Sequence, residues 1–238
     1  KEGLEQLRAI AEVGEGTIVE SETEDKDWIN NWKQYFKPFV VEDILIKPTW
    51  EEIPQKDQDK LLIQIDPGTA FGTGMHETTQ LCIRQLKKYI HSGMELLDVG
   101  TGSGILSIVG LKLGAKHAVG TDLDPNAISA AKENMLANEI SEKQFEVQIG
   151  NIIEDSVLQQ EIGFEKYDIA IANILADIIL LLQTEIAKYI IVGGYFITSG
   201  ILESKRQIVE TALTENVNFE LVETITQGEW VSITARRK

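Results

Sequence analysis

Cysteine is nearly absent: Cys82 stands alone in 238 residues, so no internal disulfide can form and a reducing, cytoplasmic compartment is expected. Histidine is almost as scarce, with three residues, and these are scattered too widely to offer the spacing of a metal site. Long apolar runs are missing. The best candidate, 169–182, is interrupted by Asn173 and Asp177 and falls short of the roughly 20 residues that cross a bilayer. No secretory signal opens the chain. Basic residues are few: 22 Lys and Arg face 38 Asp and Glu, a formal charge of -16. Such a field disfavours anionic membrane and nucleic acid, so no direct nucleic-acid binding is expected. It can attract a basic protein, although solubility alone explains it equally well. The hydrophobic fraction of 43% is enough for a sizeable core. The chain starts at Lys1 rather than Met, which reads as a fragment or a trimmed chain.

Helical spacing of Leu4, Leu7 and Ile10 is followed by Gly14 and Gly16, a short strand at Thr17–Glu20 and an amphipathic helix at Asp27–Phe36. Val40–Ile46 reads as one strand, and Pro48–Asp59 as an exposed connection. From Leu61 the pattern alternates. Strands are expected at Glu95–Val99, Ala118–Asp122, Phe145–Ile149, Asp168–Ala172 and Gly194–Ser199. Helices are expected at Thr78–Ile90, Gly104–Leu113, Pro125–Asn138, Leu175–Ile190 and Lys205–Glu215. Phe219–Thr226 and Trp230–Ala235 flank Gln227-Gly228 as a β-hairpin. The class is α/β, with a doubly wound, mostly parallel sheet.

The strongest local signal is Leu96-Leu-Asp-Val-Gly-Thr-Gly-Ser-Gly-Ile105, an apolar strand entering three alternate glycines and then a helix. Gly100, Thr101 and Gly102 let the backbone approach a ligand closely, because glycine carries no Cβ. The spacing is Gly-x-Gly-x-Gly, not the Gly-x-Gly-x-x-Gly of dinucleotide folds, and it suits an adenosyl ligand with an amino-acid tail. Asp122 follows Gly100 by about 20 residues, the spacing of an acid that accepts from ribose hydroxyls. Asp124 precedes Pro125 and reads as a helix cap. Asn151 ends the third strand and is either an acceptor for an adenine amino group or a turn residue. Asn173 ends the fourth strand among apolar neighbours, where open α/β sheets bind ligands, and is assigned to the site.

Beyond these signals, Ile65-Asp-Pro-Gly-Thr-Ala-Phe-Gly-Thr-Gly-Met-His-Glu-Thr-Thr79 closely resembles the signature of the ribosomal protein L-eleven methyltransferases (PrmA). The resemblance continues through 98–104, Asp122-Leu-Asp-Pro125, Ala172-Asn-Ile-Leu175, 199–202 and the Gly228-Glu-Trp230 hairpin, and so covers nearly the whole chain. It implies a Rossmann-like class I fold with a seven-stranded sheet and a C-terminal antiparallel hairpin. It also implies S-adenosylmethionine as cofactor, and methylation of lysine and N-terminal amines of one basic large-subunit ribosomal protein. Thr79, Gly100, Asp122 and Asn173 would contact the cofactor. Phe71, His76 and Thr78, with Gly72 and Gly74, match the loop that closes over it. Residues 1–25 would be the end of a ferredoxin-like recognition domain, 26–60 a linker with a helix, and 61–238 the catalytic domain. Read physically, the glycines loosen the loop, Phe71 excludes water, and His76 serves as a cap or hinge rather than a catalyst. Asn173 is the catalytic candidate: its oxygen would orient the attacking amine while water takes the proton.

Three other readings remain open. One is a class I methyltransferase for another protein, RNA or a small molecule. Another is a dinucleotide-dependent oxidoreductase, and the last is an adaptor that keeps a nucleoside pocket without catalysis.

Overall fold

Alternation of strand and helix is what the chain builds. A computed structural model describes residues 36–67 and 74–238, and residues from Phe36 onward form one compact unit. Seven strands make the main sheet: β4 (Glu95–Val99), β5 (His117–Asp122), β6 (Phe145–Ile149), β7 (Tyr167–Asn173), β8 (Ile190–Leu202), β9 (Phe219–Gln227) and β10 (Trp230–Arg237). Their order is β6-β5-β4-β7-β8-β10-β9, with β10 antiparallel to both neighbours and the rest parallel. The chain runs outward from β4 through β5 to β6, then returns to the other side of β4 as β7. The carboxyl ends of β4 and β7 therefore flank a switch point, where ligands bind in such sheets.

Strand residues alternate between two cores, because successive side chains point to opposite faces. Leu96, Ile169 and Ile171 join one core, which is covered by α1 (Glu77–Tyr89), α2 (Ile105–Lys112) and α3 (Pro125–Ala137). Leu97, Ala170 and Ala172 join the other, which is covered by α4 (Ser156–Ile162), α5 (Ala176–Leu182) and α6 (Arg206–Glu215). The cap of α3 is the expected one: the Asp124 carboxylate accepts from Asn126 N–H at 2.9 Å, with Pro125 opening the helix.

Several elements differ from expectation. Val40–Ile46 is not one strand: Glu42 turns back at φ +57°, and β1 (Phe39–Val41) pairs antiparallel with β2 (Ile44–Lys47). A further strand, β3 (Leu61–Gln64), runs parallel to β2. Val41, Ile44, Ile46 and Ile63 are buried in the first core. The helix expected to reach Ile190 stops at Leu182, where the next carbonyl, of Gln183, is taken by the Asn216 amide at 2.8 Å. Helix α4 is absent from the sequence reading, yet Asp155 caps it through Val157 N–H and Leu158 N–H at 2.9 and 3.1 Å. Strand β8 outruns its expected bounds at both ends, its later half pairing with β10. The elements expected at 4–12 and 17–20, and all but the last residue of the helix expected at 27–36, lie outside the described residues. No described helix is long and apolar enough to cross a membrane.

Candidate active site

Strand β4 leaves the sheet through Gly100, Gly102 and Gly104, all at positive φ. At Gly100 the requirement is twofold: φ is +74°, and a Cβ would stand 2.6 Å from Ile174 Cγ2. The amides of Gly100 and Thr101 both donate to Thr121 O, at 2.8 and 2.9 Å, which ties the turn to the end of β5. Asp122 then fixes it from the side. Its Oδ2 accepts from Gly102 N–H at 2.9 Å and its Oδ1 from Asp124 N–H at 3.0 Å. Each carboxylate oxygen retains capacity for a further donor, as a ribose diol requires.

Beneath the turn lies Asp98, quoted within the motif but given no role by the sequence reading. It is fully buried, and its Oδ2 accepts from Thr101 Oγ1 and Ser107 Oγ, each at 2.8 Å. Its Oδ1 is buried with no hydrogen-bond partner. Burial pushes the carboxyl up to about 6, against the pull of the two hydroxyl donors. Burial and the nearby Asp98 charge also hold the Cys82 thiol protonated, far above its ordinary range. The signal available in sequence was an acid set inside an apolar strand, two residues before Gly100.

Across the switch point, Asn173 ends β7 and its Nδ2 donates to Thr79 Oγ1 at 3.2 Å, bridging 94 residues of sequence. Thr79 is buried in the first turn of α1. With its nitrogen held by Thr79, Asn173 has its oxygen available to the cleft. Asn151 also lines the cleft, while its Oδ1 accepts from Ile153 N–H at 3.0 Å, so the side chain works as a turn residue as well.

The remaining loop residues divide. His76 caps α1: its Nδ1 lies 2.9 Å from Thr78 Oγ1 and accepts from Thr78 N–H at 3.3 Å. Its ring meets Trp230 edge-on, with centroids 4.9 Å apart, which docks the helix start onto the β9–β10 hairpin. Thr78 is buried and faces His76, and neither is among the described residues that border the cleft. Gly74 sits against the start of α2, where a Cβ would fall 2.7 Å from Ile105 Cδ1. Phe71 and Gly72 lie outside the described residues.

The carboxyl ends of β4, β5, β6 and β7 thus enclose a cleft of about 600 Å³, bordered by Thr79, Gly100, Thr101, Gly102, Asp122, Asn151 and Asn173. Seven candidates spread over nearly a hundred residues meet in one place. Sequence reasoning missed the apolar part of the wall, which includes Leu123, Ile152 and Leu175. Leu123 is 68% exposed and Leu175 72%, leaving apolar surface open to a guest. Among the described residues, the charged side chains along the wall are Asp122, Asp124 and Glu154, with no lysine or arginine. The carboxylates suit a cationic nucleoside, and the apolar surface suits its purine face.

The sequence profile of the family described as "Ribosomal protein L11 methyltransferase (PrmA)" matches residues 3–238. A "Ribosomal protein L11 methyltransferase" of Lachnospira eligens is 57% identical over 238 residues, covering 100% of this chain and 75% of the relative. One of the same name from Agathobacter rectalis is 55% identical over 240 residues, covering 100% of this chain and 74% of the relative. The crystal structure of ribosomal protein L11 methylase from Lactobacillus delbrueckii subsp. bulgaricus aligns with a TM-score of 0.74 at 33% identity, over 85% of this chain and 100% of that one.

Proposed function

Because the chain belongs to the ribosomal protein L11 methyltransferase (PrmA) family, we propose that it methylates lysine and N-terminal amines of that ribosomal protein, with Asn173 orienting the attacking amine. The cofactor is S-adenosylmethionine. When bound, it supplies a methyl group already activated by a positively charged sulfur, so the protein has mainly to position and desolvate.

The residues divide that work. Asp122 offers acceptors to the ribose hydroxyls while its bonds to Gly102 and Asp124 hold it in place. Gly100 and Gly102 bring the backbone close to the amino-acid tail. The carboxylates along the wall favour cationic guests, both cofactor and lysine. An attacking lysine must be neutral, and its ordinary pKa of about 10.4 makes that loss costly near neutrality. Desolvation beside the positively charged sulfur would lower that pKa. Asn173 Oδ1 would accept from the amine and so orient it, while water carries the proton away. A ribosomal protein as substrate supports a cytoplasmic reaction.

The observation that carries this reading is the Asn173–Thr79 bond at the cleft wall, which uses an amide N–H and not the Oδ1 acceptor. The test is transfer of label from radiolabelled S-adenosylmethionine to unmethylated ribosomal proteins, for the wild type and Asn173→Ala. Label should enter a single large-subunit protein at lysine and amino-terminal positions. Asn173→Ala should lower turnover about a hundredfold, while cofactor affinity changes by less than about threefold. Equal losses in turnover and affinity would remove Asn173 from the reaction and leave it as a wall residue.

A further inference from the structure

We infer that Asn134, a buried residue of α3, is a positioning residue for the cofactor: it pins the glycine turn to the exit of β3 and so sets the shape of the cleft. No side chain of the cleft wall is involved. Asn134 is 2% exposed. Its Nδ2 donates to Ser103 O, inside the glycine turn, at 2.9 Å. Its Oδ1 accepts from Asp66 N–H at 2.9 Å, where β3 leads into the Ile65–Thr79 motif. Asp66 in turn accepts from Thr49 N–H and Thr49 Oγ1, both at 2.7 Å. One amide therefore joins three segments that lie far apart in sequence.

The close approach of α3 makes this reach possible. A Cβ at Gly104 would fall 3.1 Å from Ala131 Cβ, so α3 crosses the turn almost in contact with it. Asn134 stands three residues after Ala131 on the same helical face.

The adjacent Asn138 supplies the comparison that separates positioning from simple support. It is also buried, and it pairs with the same edge of β3: Gln64 N–H donates to its Oδ1 at 2.9 Å and its Nδ2 donates to Gln64 O at 2.6 Å. It donates as well to Asn134 O at 2.7 Å. None of these bonds touches the glycine turn. Both asparagines satisfy an otherwise open strand edge, but only Asn134 connects that edge to the glycine turn.

The inference rests on the assignment of the cleft to S-adenosylmethionine, and the experiment tests the two separately. Cofactor affinity by calorimetry and Tm by thermal unfolding are measured on the full chain for the wild type, Asn134→Ala, Asn138→Ala and Asn134→Asp. The wild type should bind; absence of binding overturns the cleft assignment and the inference with it. Asn134→Ala removes both side-chain bonds and should weaken binding about tenfold, through loss of the one that holds the glycine turn. Asn138→Ala should lower Tm at least as much while leaving affinity within about twofold. Wild-type binding with equal affinity losses in the two alanine variants overturns the role of Asn134 alone.

Asn134→Asp covers the case in which the alanine variant does not fold. The new carboxyl still accepts from Asp66 N–H, but when ionised it meets the Ser103 carbonyl acceptor to acceptor. When protonated, its O–H donates to Ser103 O and restores the amide's pattern. Burial raises its pKa, so the ratio of variant to wild-type Kd should fall toward one between about pH 8 and about pH 5. A ratio independent of pH overturns the inference.

Discussion

Asp98→Asn should abolish a pH dependence of stability that the wild type carries at the floor of its cofactor turn. The folded carboxyl titrates near 6 because burial disfavours its charge. In the unfolded chain it titrates near its ordinary value of about 3.9. Between these values the folded state holds the proton more tightly than the unfolded state does. Stability is therefore fully present below about pH 4 and declines as the pH rises toward and through about 6. About two pKa units at 1.36 kcal/mol each give about 3 kcal/mol. The group is fully buried, so solvent screening does not reduce the figure. In the variant, the amide oxygen can still accept from Thr101 and Ser107, and the amide nitrogen takes the place of the unpartnered Oδ1. The assay is urea unfolding of both proteins at several pH values from about 4 to about 8, read as the difference between them. Carboxylates common to both cancel. The wild type should lose about 3 kcal/mol relative to the variant across that window. Parallel curves would refute the reasoning and show that Asp98 keeps an ordinary pKa in the fold.

Asp122→Asn should weaken cofactor binding about thirtyfold or more by calorimetry, because either amide orientation sets an N–H against Gly102 N–H or Asp124 N–H and removes an acceptor for the ribose. A change below about threefold would remove Asp122 from the site. His76→Asn should keep turnover within about threefold, since asparagine caps a helix as well, whereas His76→Ala should cost about 1 kcal/mol and a few degrees of Tm. A large turnover loss in His76→Asn, with Tm unchanged, would return His76 to the chemistry.

Much of this protein was legible in order along the chain. Alternation after Leu61, the turn at 100–104, the acid at Asp122 and the cap at Asp124 each depend on residues a few positions apart, so local pattern was sufficient. The bounds of β4, β6 and α3 followed to within a residue. Local pattern failed where packing supplied the deciding group. The apolar run after Leu175 reads as one long helix, yet the Asn216 amide, 33 residues on, binds the Gln183 carbonyl just past its end. Val40–Ile46 reads as one strand, yet Glu42 reverses it, and both halves contribute to the first core.

The site divides in the same way. Sequence alone determined which elements end in glycine, aspartate or asparagine, and hence which side chains collect at the carboxyl edge of a parallel sheet. Tertiary structure decided what those side chains do there. It gave Asn173 its partner Thr79 across 94 residues, turned His76 and Thr78 toward each other, and left one oxygen of Asp98 without a donor. It also brought Asn134 to Ser103 and Asp66, 31 and 68 residues away. Periodicity reports which face of an element is buried; it carries no information about which distant residue arrives on that face. That is set only when helices settle onto the sheet and every buried polar group has to find its partner.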